Sequence, residues 1–586
     1  MLRAPSTVLL TSGIALGALV GSCAAPRAGE VPQVRVRWGD LDGPSAEIPD
    51  GVESLLMLVY LPGEEAPQDS AFTVEGLGDA DGNGRPELVR PDLPVGEPVR
   101  IVLLGGPEDG RWTHMGSVGP IVLDYGERRF VDVRMYALGE VNSVELGIPS
   151  ARFLHTATAL ADGRVLIAGG FERAASVACP ASAPAGAVCS ELTAVDDAYL
   201  FEHSSGRFYE VASPMLEARG GHTATALPDG RVLIAGGSDR AILVARPGMG
   251  ANVELSLLPG SDGATSASYE VFDPNANPEE DDVDSDGDPG RGGFRGSADA
   301  PGRAGALDTG RILHAAAALD DGRVLLAGGV AAPASYTVWD PQRPGGFGVV
   351  GTGTLPASRP APGAAVLGAG AMQRVFVAGG GDATSDAQLA DVWLGAGERL
   401  GSATSASIVT PVGAPQWNLY RPIVEAFGGG QAVLVLGWYG PWCGGGTSTP
   451  TFTRDADSER CPYGMNRAFT FEVATNSAFG SQTTRPHAFG ASARLDDGTV
   501  VVAGGLSELT LETSASVDYH RYTRGAAQLT ESPQSLRQRR AFHAMAPLPE
   551  GGYLVFGGAT FSTDGRATLT PLAAPEIMFV ERARGR

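Results

Sequence analysis

Arg152-Phe153-Leu154-His155-Thr156-Ala157-Thr158-Ala159-Leu160-Ala161-Asp162-Gly163-Arg164-Val165-Leu166-Ile167-Ala168-Gly169-Gly170 decides how this chain folds, because it keeps coming back. It returns almost verbatim as Arg219 to Gly237 and Arg311 to Gly329, and in weaker form as Arg540 to Gly558. Every copy keeps Arg-x-x-His and sets a glycine pair at a fixed distance beyond the histidine. Each copy predicts two strands. His155 to Leu160 is short, small and apolar, and Ala161-Asp162-Gly163 supplies a tight turn, Asp-Gly being a strong hairpin signal. Val165 to Ala168 is a continuous apolar run, the pattern of a strand buried on both faces. Gly169-Gly170 then permits positive φ and close backbone approach.

A third strand follows each copy: Tyr199-Leu200-Phe201, Tyr269 to Phe272, Tyr336 to Trp339, and Val392-Trp393. Two of these end in Asp-Pro, at Asp273-Pro274 and Asp340-Pro341, where proline stops the ladder. A fourth strand, clearest at Arg207 to Val211, precedes the next arginine. Four antiparallel strands, repeated, predict an all-β propeller. Arg-x-x-His, Asp-Gly-Arg, the glycine pair and the aromatic-Asp-Pro strand together resemble kelch repeats, over about residues 141 to 586. Glycine pairs begin at Gly169, Gly236, Gly328, Gly379, Gly504 and Gly557. The interval from Gly379 to Gly504 is too long for one kelch unit of about 50 residues. It contains Gln431 to Trp438, a degenerate copy of the buried strand, which gives seven blades, with six as the alternative. The last repeat ends at a third strand, Glu576 to Val580, and Val141 to Gly147 can supply its fourth, closing the ring and removing exposed edges.

The rest of the chain frames this repeat. With 586 residues, several domains are possible. A formal charge of −24 makes nucleic acid and anionic membrane surfaces poor partners. Residues 1–22 read as a targeting segment: Arg3, then an apolar stretch from Val8 to Val20 that is too short to span a bilayer. Val20-Gly21-Ser22-Cys23 resembles a bacterial lipobox. The resemblance implies cleavage before Cys23, lipidation of that cysteine and, with Ala24 following, transfer to the outer membrane. An ordinary secretory signal with an incidental cysteine is the other reading. Contact with a membrane would be through the lipid anchor alone. A tether covers 23–32. Residues 33–138 alternate as strands do, as in Val34 to Trp38, Leu55 to Leu61, Val99 to Leu104 and Phe130 to Met135, and predict a small β-sandwich.

Two acidic stretches have calcium-loop spacing. Asp79, Asp81, Asn83 and Gly84 are followed by Glu87, with Arg90 where an EF-hand has its last carboxylate. Asp282, Asp284, Asp286, Gly287 and Asp288 fit the start of such a loop better, and this many carboxylates repel one another without a cation. Solvated acidic turns are the alternative for both. Cys179 and Cys189, and Cys443 and Cys461, form two local pairs in insertions, and in an exported chain disulfides are the simplest assignment. Trp438, Tyr439 and Trp442, directly after a buried strand, form a candidate aromatic loop for a sugar or protein, or else pack under the insertion.

His155, His222, His314 and His543 share one repeat position, which points to a structural role. Copper-radical oxidases related to galactose oxidase carry a Tyr-His pair of copper ligands at this position. Here Leu154, Gly221, Leu313 or Phe542 precedes the histidine, and the one Tyr-His dipeptide, Tyr519-His520, lies on a third strand. Sialic acid mutarotases share the kelch propeller without a motif that this chain matches. The sequence contains no Gly-x-Ser-x-Gly, His-Glu-x-x-His or phosphate-loop motif. The resulting expectation is a non-enzymatic, envelope-anchored scaffold presenting rim loops to a protein or glycan, with calcium the one cofactor the loops suggest. The alternative is an enzyme on the propeller, of the copper-radical oxidase or sugar-isomerising kind.

Overall fold

The computed structural model describes residues between 33 and 580 except for internal stretches, the longest being 38–47, 277–291, 408–420 and 438–466. Strands dominate, and the fold is an all-β, kelch-like propeller preceded by a smaller β-domain. Seven sheets among the described residues share one antiparallel order. Their inner strands are Thr156–Ala159, Thr223–Ala226, Ala315–Ala318, Pro362–Leu367, Ile423–Ala426, Ala491–Arg494 and Ala544–Leu548, and sheets one to seven are numbered in that order. Each inner strand touches the next, and the seventh touches the first. The second strands, such as Val165–Ala168 and Val500–Ala503, are wholly buried, as their unbroken apolar runs require.

The repeated arginine explains why the motif recurs. In sheet two, Arg219 is fully buried, donates to Gly236 O at 2.7 Å and pairs with the equally buried Glu270 at 2.9 Å. Arg152 donates to Gly169 O and, through both terminal nitrogens, to Asp197. Arg311 donates to Gly328 O and Thr337 Oγ1, Arg359 to Gly379 O, and Arg540 to Gly557 O and Glu576. The second glycine of each pair reaches the other way, across to the next arginine's carbonyl. Gly170 N donates to Arg219 O at 2.9 Å, Gly237 N to Arg311 O at 2.7 Å, and Gly558 N back to Arg152 O at 2.8 Å. Glycine is required here, since a Cβ on Gly169 (φ +54) would lie 2.4 Å from Arg219 O.

The ends of the propeller chain meet in sheet seven, where Val141–Ser143 pairs with Glu576–Phe579. The smaller domain is a sandwich of a five-stranded sheet and a three-stranded sheet in which Gln33–Arg37 runs parallel to Arg128–Asp132. Val34, Val36 and Val131 pack on Leu55, Met57 and Ile101 between the two sheets. The opposite face of the larger sheet shares a second core with the propeller: Leu58, Val102, Leu104, Met115 and Tyr136 lie against Phe201, Phe208, Phe556 and Phe579 of sheets one and seven. Polar contacts join the same seam. Arg100 pairs with Glu550 at 2.6 Å, Tyr136 Oη donates to His203 O at 2.6 Å, and Ser117 Oγ bonds His203 Nε2 at 2.9 Å.

The insertion after sheet one's second strand, which carries Cys179 and Cys189, contains two strands of its own. Phe171–Val177 and Val188–Ala194 form a hairpin, and Arg240–Pro247 and Val253–Pro259, from sheet two, join it in a separate four-stranded sheet. Cys179 and Cys189 form a disulfide on it. Alternating apolar residues give the sheet one face, Phe171, Leu192, Ala194, Ala241 and Leu243, that covers an end of the ring.

Removing one arginine leaves a buried, unpaired acid. Arg219→Ala is expected to cost about 3–5 kcal/mol in urea unfolding. Arg231→Ala, which breaks a surface pair with Asp229, is expected to cost under about 1 kcal/mol.

Candidate functional site

The inner strands line the axis of the ring, and their sequences are nearly uniform: TATA, TATA, AAAA, PGAAVL, IVEA, ASAR and AMAPL. Small side chains are dictated by the convergence of the strands. Only two residues in these seven strands ionise, Glu425 of sheet five and Arg494 of sheet six, and they stand on neighbouring strands. Ser492 Oγ donates to Glu425 Oε2 at 3.1 Å, and Arg494 Nη1 donates to Ala426 O at 3.4 Å. Burial pushes the Glu425 carboxyl above its usual range, against the opposing pull of Arg494 and of the Ser492 hydrogen bond. Arg494 is exposed. The two sheets approach closely here because their turns touch without side chains: a Cβ on Gly428 would lie 2.9 Å from Gly498 Cα. The result is an acid raised by burial beside an exposed guanidinium.

The glycine-pair end of the axis is closed. Leu154, Gly221, Leu313, Arg421, Phe489 and Phe542 all take positive φ. Their backbones link across sheets: Leu154 N donates to Phe542 O, Gly221 N to Leu154 O, Leu313 N to Gly221 O, and Phe542 N to Phe489 O, at 2.8–3.0 Å. Leu154, Ile312, Leu313, Phe489 and Phe542 form an apolar plug under the four-stranded cap sheet. Glu425 and Arg494 lie further along their strands, toward the turns between first and second strands.

The four repeat histidines sit just behind the plug, each buried between sheets. His222 Nε2 bonds Thr156 Oγ1 at 3.0 Å, and His314 Nε2 bonds Thr223 Oγ1 at 2.9 Å. Ala544 and Ala491 stand where those threonines would serve His155 and His543. Burial holds all four well below the usual histidine range, with Arg152, Arg219, Arg311 and Arg540 adding to it, and His222 falls to about 3.

These residues do not suit the copper of the oxidases. The position that carries their tyrosine holds Leu154, Gly221, Leu313 and Phe542 within the plug. Among the described residues no three histidine, cysteine, aspartate or glutamate side chains converge as metal ligands. Glu87 begins the strand Glu87–Arg90, paired with Arg37. Asp79, Asp81, Asn83, Asp282, Asp284, Asp286, Asp288, Trp438, Tyr439, Trp442, Cys443, Cys461 and Cys23 lie outside the described residues. Glu425, Arg494 and the His487 of sheet six escaped the sequence reading. The available signal was the break they make in runs of small residues.

No family model and no curated protein matches the chain. Among solved structures it is similar to a fungal alcohol oxidase, described as catalytically diverse within the AA5 family and in complex with copper. The identity is 12%, the match covers 75% of each chain, and the TM-score is 0.41. The likeness concerns the kelch-like fold. The similar structure is that of an enzyme, which stands against the expectation of a chain without catalytic activity, and that expectation is not carried further.

The buried histidines set an acid limit. His203 and His520 are lowered to about 4 from 6.5, chiefly by burial. Below pH 6.5 the unfolded chain therefore binds protons that the folded chain refuses, so stability falls as pH falls. Thermal unfolding should show a midpoint that drops steadily from pH 7 to 4.5. His222→Gln, which cannot titrate, should flatten that slope.

Proposed function

We propose that this protein is an enzyme whose site lies on the propeller axis, where Glu425 performs acid–base chemistry on a small hydroxylated substrate of the sugar class. The observation that carries the reading is the Glu425 carboxyl, raised above its usual range by burial, hydrogen-bonded by Ser492 and set beside Arg494 on strands that otherwise ionise nowhere. A protonated carboxyl can give its proton to a substrate oxygen and take one back, while an exposed guanidinium steadies negative charge on a neighbouring oxygen. Isomerisation of a sugar needs only such transfers. Ser492 fixes the Glu425 carboxyl through its hydrogen bond. Substrate would enter from the turn side, because the plug and cap sheet occupy the other.

The same proposal places the chain at a bacterial cell envelope, lipidated on Cys23 and meeting glycans or proteins there. Its support is the apolar run from Val8 to Val20 ending in Val20-Gly21-Ser22-Cys23. Among the described residues no helix is long and apolar enough to cross a membrane. A mass spectrum of the amino-terminal peptide from envelope fractions reads the lipid directly, and an unmodified Cys23 in the mature chain refutes this part.

A panel of aldoses, ketoses and sugar acids, followed by NMR for anomeric and aldose–ketose exchange, tests the chemistry. Exchange should be accelerated for at least one sugar. Glu425→Gln should lose about 100-fold or more in turnover while keeping the native unfolding midpoint. Because the acid form works, kcat/KM should fall as pH rises through the elevated Glu425 value. A wild-type protein silent across the panel, or a Glu425→Gln variant of full activity, refutes the assignment.

A further inference from the structure

We propose that His487 is a proton-dependent latch that fixes the inner strand carrying Ser492 and Arg494. Sheets one to four and seven place a buried arginine before the inner strand. Sheet six places His487 there, and it does the arginine's two jobs: Nδ1 lies 2.7 Å from Gly504 O, as Arg540 meets Gly557 O, and Nε2 lies 3.1 Å from Asp518 Oδ2, as Arg540 meets Glu576. His487 and Asp518 are both buried.

The proton count follows from the partners. A carbonyl oxygen only accepts, so Nδ1 must donate to Gly504 O. Nε2 then faces a carboxylate, and that contact is a hydrogen bond only if one further proton sits on the ring or on the carboxyl. Either way the pair holds one proton more than a neutral imidazole beside a carboxylate. An arginine cannot lose its charge in a protein, so the other clamps ignore pH. This one opens as pH rises: without the shared proton, the Nε2 lone pair faces the Asp518 charge and the contact turns repulsive.

Other titratable and charged groups stand around the ring. Asp518 and His520 face it from the third strand, His543 approaches from the loop before sheet seven's inner strand, and Arg540 and Arg421 are the cations that act on His543 beside it. His520 and His543 are both held neutral by burial, so Asp518 is the group that shares the proton. The loop that His487 ties down leads directly to Ala491–Arg494. The latch therefore makes the geometry at Arg494 depend on proton concentration. That last step rests on the reading of Glu425 above, and the latch itself does not.

Hydrogen exchange of the full chain, read by mass spectrometry and corrected for the intrinsic pH dependence of amides, tests the latch. The range pH 6.5 to 9 stays clear of the acid window of the buried histidines. Protection of residues 485–506, relative to 152–170 in sheet one, should fall about tenfold or more across that range. His487→Arg should hold the ratio constant and high, and His487→Gln constant and low. An unchanged ratio in the wild type, or the same fall in His487→Gln, overturns the proposal. Should the arginine variant misfold, the glutamine variant decides. No turnover is read, so an error about Glu425 leaves the result intact.

Discussion

A buried guanidinium holding a glycine carbonyl and an acid is the interaction on which the ring depends. Each such arginine is out of water and would be strongly destabilising alone. Its cost is offset because the fork fits two acceptors at once, one on its own sheet's second strand and one on the third. The arginine's own carbonyl then accepts the N–H of the preceding sheet's glycine pair. One residue thus sets the spacing within a sheet and the junction between sheets. The glycine pair is fixed by the same demand, since a Cβ on the first glycine collides with the carbonyl that the second one's N–H reaches, and a Cβ on Gly170 collides with His155.

This dependence explains what could be read from the sequence. Arg, His and the glycine pair recur at fixed spacing because each copy solves the same packing problem, and the small first strand and apolar second strand carry their own periodicities. The fourth strand of sheet seven could be assigned to the stretch from Val141 to Gly147 because the final repeat lacks one, and within it Val141–Ser143 pairs. The cap sheet was hidden for a physical reason: its two hairpins are insertions in different repeats, and only the ring brings Val188–Ala194 beside Arg240–Pro247. The shared core under the first sandwich was hidden likewise, since Leu58, Val102 and Leu104 read as an ordinary buried face whatever they cover.

The site was less legible than the fold. Repeats advertise what is common to all copies, whereas chemistry sits where one copy differs. Glu425 stands in the most degenerate repeat, whose Arg-x-x-His is missing, so no motif drew attention to it. His487 also stands where a motif has eroded. The histidines that do recur are spent on structure: two cap threonines of the preceding sheet, and all four stay neutral.

The ring is closed without a covalent link where Val141–Ser143 meets Glu576–Phe579, and that pairing is three residues long. A joint so short would be the natural place for the circle to peel open under tension. The sandwich domain straddles it, with one face buried against sheets one and seven together. A pull on the amino-terminal end of the chain therefore enters the ring through a broad apolar contact spanning both sides of the joint. The load is carried as shear across two sheets, and the short closing strand is spared from unzipping residue by residue.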